Sequence, residues 1–304
     1  MAGGYRWWYI DALSDDGEQG LTLIAFIGSV FSPYYFRARS GPAVDPEHHC
    51  ALNAILYTPK RKHWALTERG RHDLQRDAYS MRVGPSSLRY EGDMLIIDID
   101  EWTVPFPSRL RGQVRVQLQT PQDRQYPLDP AGRHHWWPVS PRARVEAVFE
   151  KPGLSWSGEG YVDANWGEEP LEQGFSYWHW CRAATPQGET VVRYEAWPRE
   201  GERTLLSLGF DGQGRVSERE DGAAQRLSAT PVWRMRRDAR VPAGDSVKVQ
   251  RTYEDTPFYS RSLLQYQGQG GDCWAMHESL DLDRFRQPWV QFLLPFRMPR
   301  LAKR

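Results

Sequence analysis

Polar and apolar residues alternate along this chain in short runs. The plainest is Arg111-Gly112-Gln113-Val114-Arg115-Val116-Gln117-Leu118. A period of two marks a strand with one buried face, because successive side chains point to opposite sides. Runs of this kind predict strands over residues 5–13, 21–30, 52–57, 64–67, 94–100, 111–118 and 144–149. They resume over 174–184, 190–196, 204–210, 247–253, 263–266 and 274–282. Turn residues stand between them, as in Asp15-Asp16-Gly17, Glu91-Gly92-Asp93, Pro186-Gln187-Gly188 and Asp211-Gly212-Gln213-Gly214. Helical periodicity is scarce. Many short strands joined by tight turns predict an all-β protein of sandwich or barrel type. The strands suffice for two antiparallel barrels. Turn residues cluster at 163–172, so the expected division is an N-terminal barrel over 1–165 and a C-terminal barrel over 166–304.

Composition narrows the function. Of 304 residues, 39 are Lys or Arg and 39 are Asp or Glu, which argues against a nucleic-acid binder needing a basic footprint. A 40% hydrophobic content supports a real core and excludes wholesale disorder. The chain carries 14 Trp, 14 Tyr and 11 Phe. Such a share suits strands, and equally a large flat or elongated ligand. Mean hydropathy is −0.68, unlike an integral membrane protein. The longest uncharged stretch, 19–36, is interrupted by Thr22, Gly28, Ser29, Ser32 and Pro33, and falls short of the roughly 20 apolar residues of a spanning helix. No signal peptide is expected from Met1-Ala2-Gly3-Gly4-Tyr5. Cys50, Cys181 and Cys273 are far apart, an odd set that fits a reducing compartment.

No nucleotide or metal motif is present: GxGxxG after a strand, GxxxxGK[ST], HExxH and GxSxG are all missing. The doublets His48-His49 and His134-His135 would point to opposite faces of a strand and make poor two-ligand sites. Asp163-Ala164-Asn165-Trp166-Gly167 lacks the remaining ligands of a calcium loop. No cofactor and no metal are expected.

Several longer stretches are more specific. They include Leu23-Ile24-Ala25-Phe26-Ile27-Gly28-Ser29-Val30-Phe31-Ser32-Pro33-Tyr34-Tyr35, Thr67-Glu68-Arg69-Gly70 and Gly84-Pro85-Ser86-Ser87-Leu88. Further on come Gly132-Arg133-His134-His135-Trp136, Gly160-Tyr161-Val162-Asp163-Ala164-Asn165-Trp166-Gly167, Asp255-Thr256-Pro257-Phe258-Tyr259 and Pro295-Phe296-Arg297-Met298-Pro299-Arg300. In their order they resemble the carotenoid 1,2-hydratase (hydroxyneurosporene synthase) family over nearly the whole chain. The resemblance implies two consecutive lipocalin-like antiparallel β-barrels. It also implies cofactor-free addition of water across the terminal 1,2 double bond of an acyclic carotenoid such as neurosporene or lycopene, giving a tertiary alcohol at C1. The positions it implicates are His134, Trp136, Tyr161 and Asp163, with Asp163 as the acid.

Those residue types suit the chemistry. An alkene is a weak base, so a proton must be delivered to C2, leaving a tertiary cation at C1. An Asp with a reference pKa near 3.9 needs an upward shift to serve, and burial among Trp136, Tyr161, Trp156 and Trp166 is the expected source. Aromatic faces stabilise a cation without attacking it. A base must take the proton of water, either His134 or Asp163 once ionised. Each residue also has a structural reading: Asp163 as a turn cap, His134 as an exposed loop residue, Tyr161 as core, and Trp136 and Trp137 as one core and one surface aromatic. Glu68, Asp98, Asp100 and Glu101 are spare carboxylates, with Asp98 and Asp100 read as a solvated face.

Residues 284–304 hold six basic residues and no acidic one, interleaved with Phe285, Trp289, Phe292, Leu293, Leu294, Phe296 and Met298. This suits an anionic bilayer interface, where a C40 hydrocarbon would be met. The expected location is therefore peripheral, on the cytoplasmic side of a membrane. The other reading of this stretch has its aromatics completing the second barrel and its arginines decorating the outside. The competing function is a lipocalin-like carrier or sensor of an apolar ligand, which needs neither a buried acid nor a base.

Overall fold

The structure is a computed structural model and describes residues 3–39, 44–268 and 271–302. Its strands are β1 (Tyr5–Ser14), β2 (Gly20–Ile27), β3 (Cys50–Tyr57), β4 (Lys62–Leu66), β5 (Glu68–Arg69), β6 (Leu74–Arg76), β7 (Ser80–Val83) and β8 (Ser86–Glu91). There follow β9 (Met94–Trp102), β10 (Arg109–Leu118), β11 (Tyr126–Pro127), β12 (His134–Lys151), β13 (Leu154–Gly167), β14 (Phe175–Ala184), β15 (Thr190–Pro198) and β16 (Thr204–Phe210). The last are β17 (Val216–Glu218), β18 (Ala223–Arg226), β19 (Asp238–Val241), β20 (Ser246–Asp255), β21 (Tyr259–Gln267), β22 (Cys273–Asp281) and β23 (Arg300–Leu301). Among the described residues helices are confined to short turns, none longer than the six-residue Pro33–Ala38 and Pro288–Leu293.

The alternation produces an all-β fold of largely antiparallel sheets. Two compact units form: Met1–Tyr126 with His134–Pro170 and Gln291–Arg304, and Pro127–Arg133 with Leu171–Val290. The contacts thus divide the chain at Pro170 and Leu171 and return its last stretch to the first unit. In the first unit the strand order is β23-β5-β3-β2-β1-β13-β12-β10-β9-β8-β7-β6. In the second it is β17-β16-β15-β14-β22-β21-β20, with β18 and β19 as a separate ribbon.

The first unit's core is aliphatic. Ile10 and Ala12 of β1, Leu21, Leu23 and Ala25 of β2, Val114 and Val116 of β10, and Val162 and Ala164 of β13 all pack into one buried cluster. These are alternate residues, so their neighbours face the other way. That other face is also buried but differs in chemistry: Tyr5, Trp7, Tyr9 and Asp11 on β1, and Tyr161, Asp163 and Asn165 on β13.

Three expectations change here. Asp163 does not cap a turn; it lies well inside the 14-residue strand β13, which the glycine-rich sequence concealed. The glycines are required by close neighbours rather than by turns. A Cβ at Gly158 would sit 1.8 Å from the Leu13 carbonyl oxygen, and one at Gly167 would sit 2.5 Å from His134 Nδ1. Secondly, His134 is not an exposed loop residue but opens β12 fully buried. Thirdly, the stretch 284–304 divides: Phe285 packs against Phe258 and Trp289 stacks on Trp233 in the second unit, whereas the residues from Gln291 on belong to the first. Strand β23 pairs in parallel with β5 of the first, held by Glu68 N–H donating to the Pro299 carbonyl at 2.9 Å. Lys303 and Arg304 lie outside the described residues.

Candidate active site

The site is built on β1, β13 and β12, which run side by side. Tyr9 is the Cα partner of Asp163, and Asp11 that of Tyr161. On the other flank, Trp136 is opposite Asn165 and His134 opposite Gly167. All of these side chains share the face turned away from the aliphatic cluster.

Strand β12 contains Pro138 and Pro141, which lack the N–H that a ladder needs. Its register against β13 shifts between Trp137 and Ser140 and again between Ser140 and Ala143. The irregularity falls beside Tyr161 and Asp163, as bulges commonly do next to reactive groups. It lets the Trp136 indole reach diagonally across the sheet. Trp136 Nε1–H donates to Asp163 Oδ2 at 2.9 Å, and the Tyr161 hydroxyl donates to the same oxygen at 2.9 Å. Tyr161 is wholly buried, and this burial, reinforced by the neighbouring Asp163, raises its pKa well above the usual value. It therefore remains a hydrogen-bond donor.

A second tyrosine–aspartate pair lies next door on β1. The Tyr9 hydroxyl donates to Asp11 Oδ2 at 3.3 Å, and the Tyr9 and Tyr161 rings meet edge-on at 6.3 Å. Asp11 is fully buried. The structure thus brings together Asp163, Tyr161 and Trp136, and adds Tyr9 and Asp11. The sequence signal for the added pair was an Asp on the same strand face as Tyr5, Trp7 and Tyr9.

His134 stands apart from this group. Its Cα partner Gly167 is four residues along β13 from Asp163, roughly 13 Å at strand rise. Its Nδ1 lies 2.9 Å from the Tyr5 hydroxyl and its Nε2 3.2 Å from Glu169 Oε1. A carboxylate only accepts, so in the neutral ring Nε2 carries the hydrogen and Tyr5 donates to Nδ1. Tyr5 stacks on both His134 and Trp7.

The aromatic surroundings expected for Asp163 are partly different. Trp166 and Trp156 project from the opposite side of β13, Trp166 stacking on His135 at 5.2 Å and Trp156 packing against the aliphatic cluster. Strand parity is the reason. Trp137 is half-buried and Nε1 donates to the Gln122 carbonyl. The spare carboxylates are engaged elsewhere: Glu101 with Arg69 and Ser86, Asp98 with Arg89 and Gln113, Asp100 with Arg109. Glu68, wholly buried, pairs with His49 at 2.8 Å and with Arg300. Burial first, then Arg300, pushes the His49 pKa down to about 3.

Fold and site together define a lipocalin-like β protein whose buried polar face carries paired carboxyl groups among aromatic rings. The family model described as carotenoid hydratase CrtC matches residues 23–304, and the chain belongs to that family. It is 50% identical over 300 residues to the acyclic carotenoid 1,2-hydratase of Thiocapsa roseopersicina, covering 99% of this chain and 74% of the relative. It is 38% identical to the enzyme of the same name from Rhodobacter capsulatus, covering 92% of this chain and 98% of that one. This is a hydro-lyase family. Among solved structures, CghA with Sch210972 superposes with a TM-score of 0.59 at 13% identity, covering 92% of this chain and 88% of that one. An AttH-type protein from Nitrosomonas europaea gives 0.58 at 12% identity, covering 92% of each chain. At such identities the likeness shows the fold alone.

Proposed function

We propose that the chain hydrates the terminal 1,2 double bond of acyclic carotenoids such as neurosporene and lycopene by acid catalysis, without a cofactor. Asp163 delivers a proton to C2. The tertiary cation at C1 is stabilised by the rings of Trp136 and Tyr161, at roughly 0.5–2 kcal/mol per face. Water then adds at C1. The observation that carries this reading is the buried Asp163 with Trp136 and Tyr161 both anchored on Oδ2. Two donors on one oxygen fix the carboxyl's orientation. Proton donor, cation stabiliser and water account for the net reaction, so no redox or Lewis-acid group is required. His134, held by Tyr5 and Glu169, positions the end of β12 that presents Trp136.

A carrier of apolar ligands would have no use for this arrangement. Replacing Asp163 by Asn keeps the shape and removes the transferable proton. Turnover of detergent-dispersed lycopene should fall at least about 10²-fold, the usual loss for a general acid. A folded variant that hydrates normally would exclude Asp163 as the donor.

The substrate's insolubility supports peripheral contact with the cytoplasmic face of a membrane. Among the described residues, no helix is long and apolar enough to cross one.

A further inference from the structure

We infer that Asp11, held by Tyr9, takes the proton of the attacking water. This rests on the reading of Asp163 as the donor and adds the second half of the reaction.

Addition of water needs two proton transfers on neighbouring atoms. One group must give a proton to C2, and another must accept one from the oxygen that bonds to C1. The donor and acceptor must flank the same double bond. His134 is far along the strand and both its nitrogens are engaged. Asp11 is much better placed. Strands β1 and β13 are antiparallel, each carries a Tyr and an Asp two residues apart, and the register sets Tyr9 opposite Asp163 and Asp11 opposite Tyr161. The two aspartates are therefore diagonal neighbours on one face, roughly 7–8 Å apart at the backbone. Each accepts a hydrogen bond from the tyrosine of its own strand. The two rings between them are in edge contact. Two carboxyl groups set diagonally on one face can flank a single double bond, one on each side.

The balance is complete. The Asp163 O–H bond breaks as the alkene's π pair forms C2–H. A lone pair of water forms C1–O, and one water proton passes to the Asp11 carboxylate. Asp11 then holds one proton and Asp163 has lost one. Tyr161, which donates to Asp163 and stands opposite Asp11, offers a hydroxyl through which the proton returns. No electron is gained or lost overall.

The experiment incubates purified parent, Asp11→Asn, Tyr9→Phe and Asp163→Asn with detergent-dispersed lycopene in deuterium oxide. Alcohol and recovered hydrocarbon are analysed by mass spectrometry and NMR. With the acceptor gone, the cation still forms but escapes by losing a proton from a C1 methyl group to the Asp163 carboxylate. For Asp11→Asn the expected result is hydration reduced at least about 10²-fold, with a terminal methylidene isomer carrying deuterium at C2. Tyr9→Phe, a milder change that leaves both carboxyl groups, should lose about tenfold in hydration and yield the same labelled isomer. It decides the matter if Asp11→Asn does not fold. Asp163→Asn should give neither alcohol nor labelled hydrocarbon. Parent-like hydration by folded Asp11→Asn, or by Tyr9→Phe if Asp11→Asn is unfolded, overturns the inference. So does loss of hydration with no deuterium in the hydrocarbon. Labelling that persists in Asp163→Asn would instead overturn the assignment of the donor.

Discussion

Single residues here are tuned mainly by burial. In the second unit, His277 is buried with Nε2 2.9 Å from the Asp238 carbonyl, and its ring lies 5.4 Å from that of His179. Burial drives the His277 pKa from 6.5 down to about 4. The unfolded chain therefore binds a proton below pH 6.5 that the folded chain refuses until about pH 4. Stability rises with pH across that window and falls on acidification. Between pH 7 and pH 5 this one group should cost about 2 kcal/mol. Urea unfolding of parent and His277→Asn at both pH values tests it: the variant should lose about that much less. Equal losses would show that His277 is protonated in the folded state. His179, lowered by burial and by His277, acts in the same direction.

At the scale of elements, short pieces of chain are held by buried charge. Strand β23 has two residues, too few to persist on ladder bonds alone. Arg300 anchors it through Glu68, with a further bond to the His48 carbonyl at 3.0 Å. Removing one partner of a buried ion pair leaves the other charge exposed to a poor solvent, at about 3–5 kcal/mol. Because His49 stays beside Glu68, Arg300→Gln should sit near 3 kcal/mol, read from its urea midpoint. An unchanged midpoint would mean that β23 contributes nothing to the fold. The long strands β12 and β13 obey a different logic. The prolines of β12 and the glycines of β13 weaken the ladder, and paired strands along both edges of each compensate.

At the scale of the whole molecule, the question is how a water-insoluble substrate is met. The basic groups first read as a membrane anchor are partly committed: Arg300 to Glu68, and Arg297 over the Trp64 ring at 4.8 Å. Trp64 also links to the β9–β10 connection, its carbonyl accepting from Val104 N–H at 2.9 Å. That connection exposes Phe106 by 86%, the last residue of β9, Trp102, is exposed by 53%, and the segment before Arg297 exposes Phe292 by 67% and Phe296 by 66%. Exposed aromatics beside arginines are what an interfacial anchor uses. Flotation with anionic and neutral liposomes should show peripheral binding that weakens with salt. Changing Phe106, Phe292 and Phe296 to Ser should reduce it more than changing Arg297 to Gln, leaving turnover in detergent intact. Undiminished flotation of the triple variant would exclude this patch.

The amino-acid pattern by itself determined the all-β class and most of the longer strands, while the family resemblance, not the alternation, pointed to His134, Trp136, Tyr161 and Asp163. Alternation is written in the backbone's own geometry, so it survives in any local window, and distinctive stretches carry family resemblance without any fold. What only the tertiary structure decided was partnership. Strand β13 was hidden because its glycines answer to Leu13, Tyr5 and His134, residues remote in sequence. The neighbours of Asp163 are Tyr9 and Asp11 rather than Trp156 and Trp166, because strand parity and cross-strand register choose them. Register is set by the pairing of segments at opposite ends of a unit, and no local window contains it.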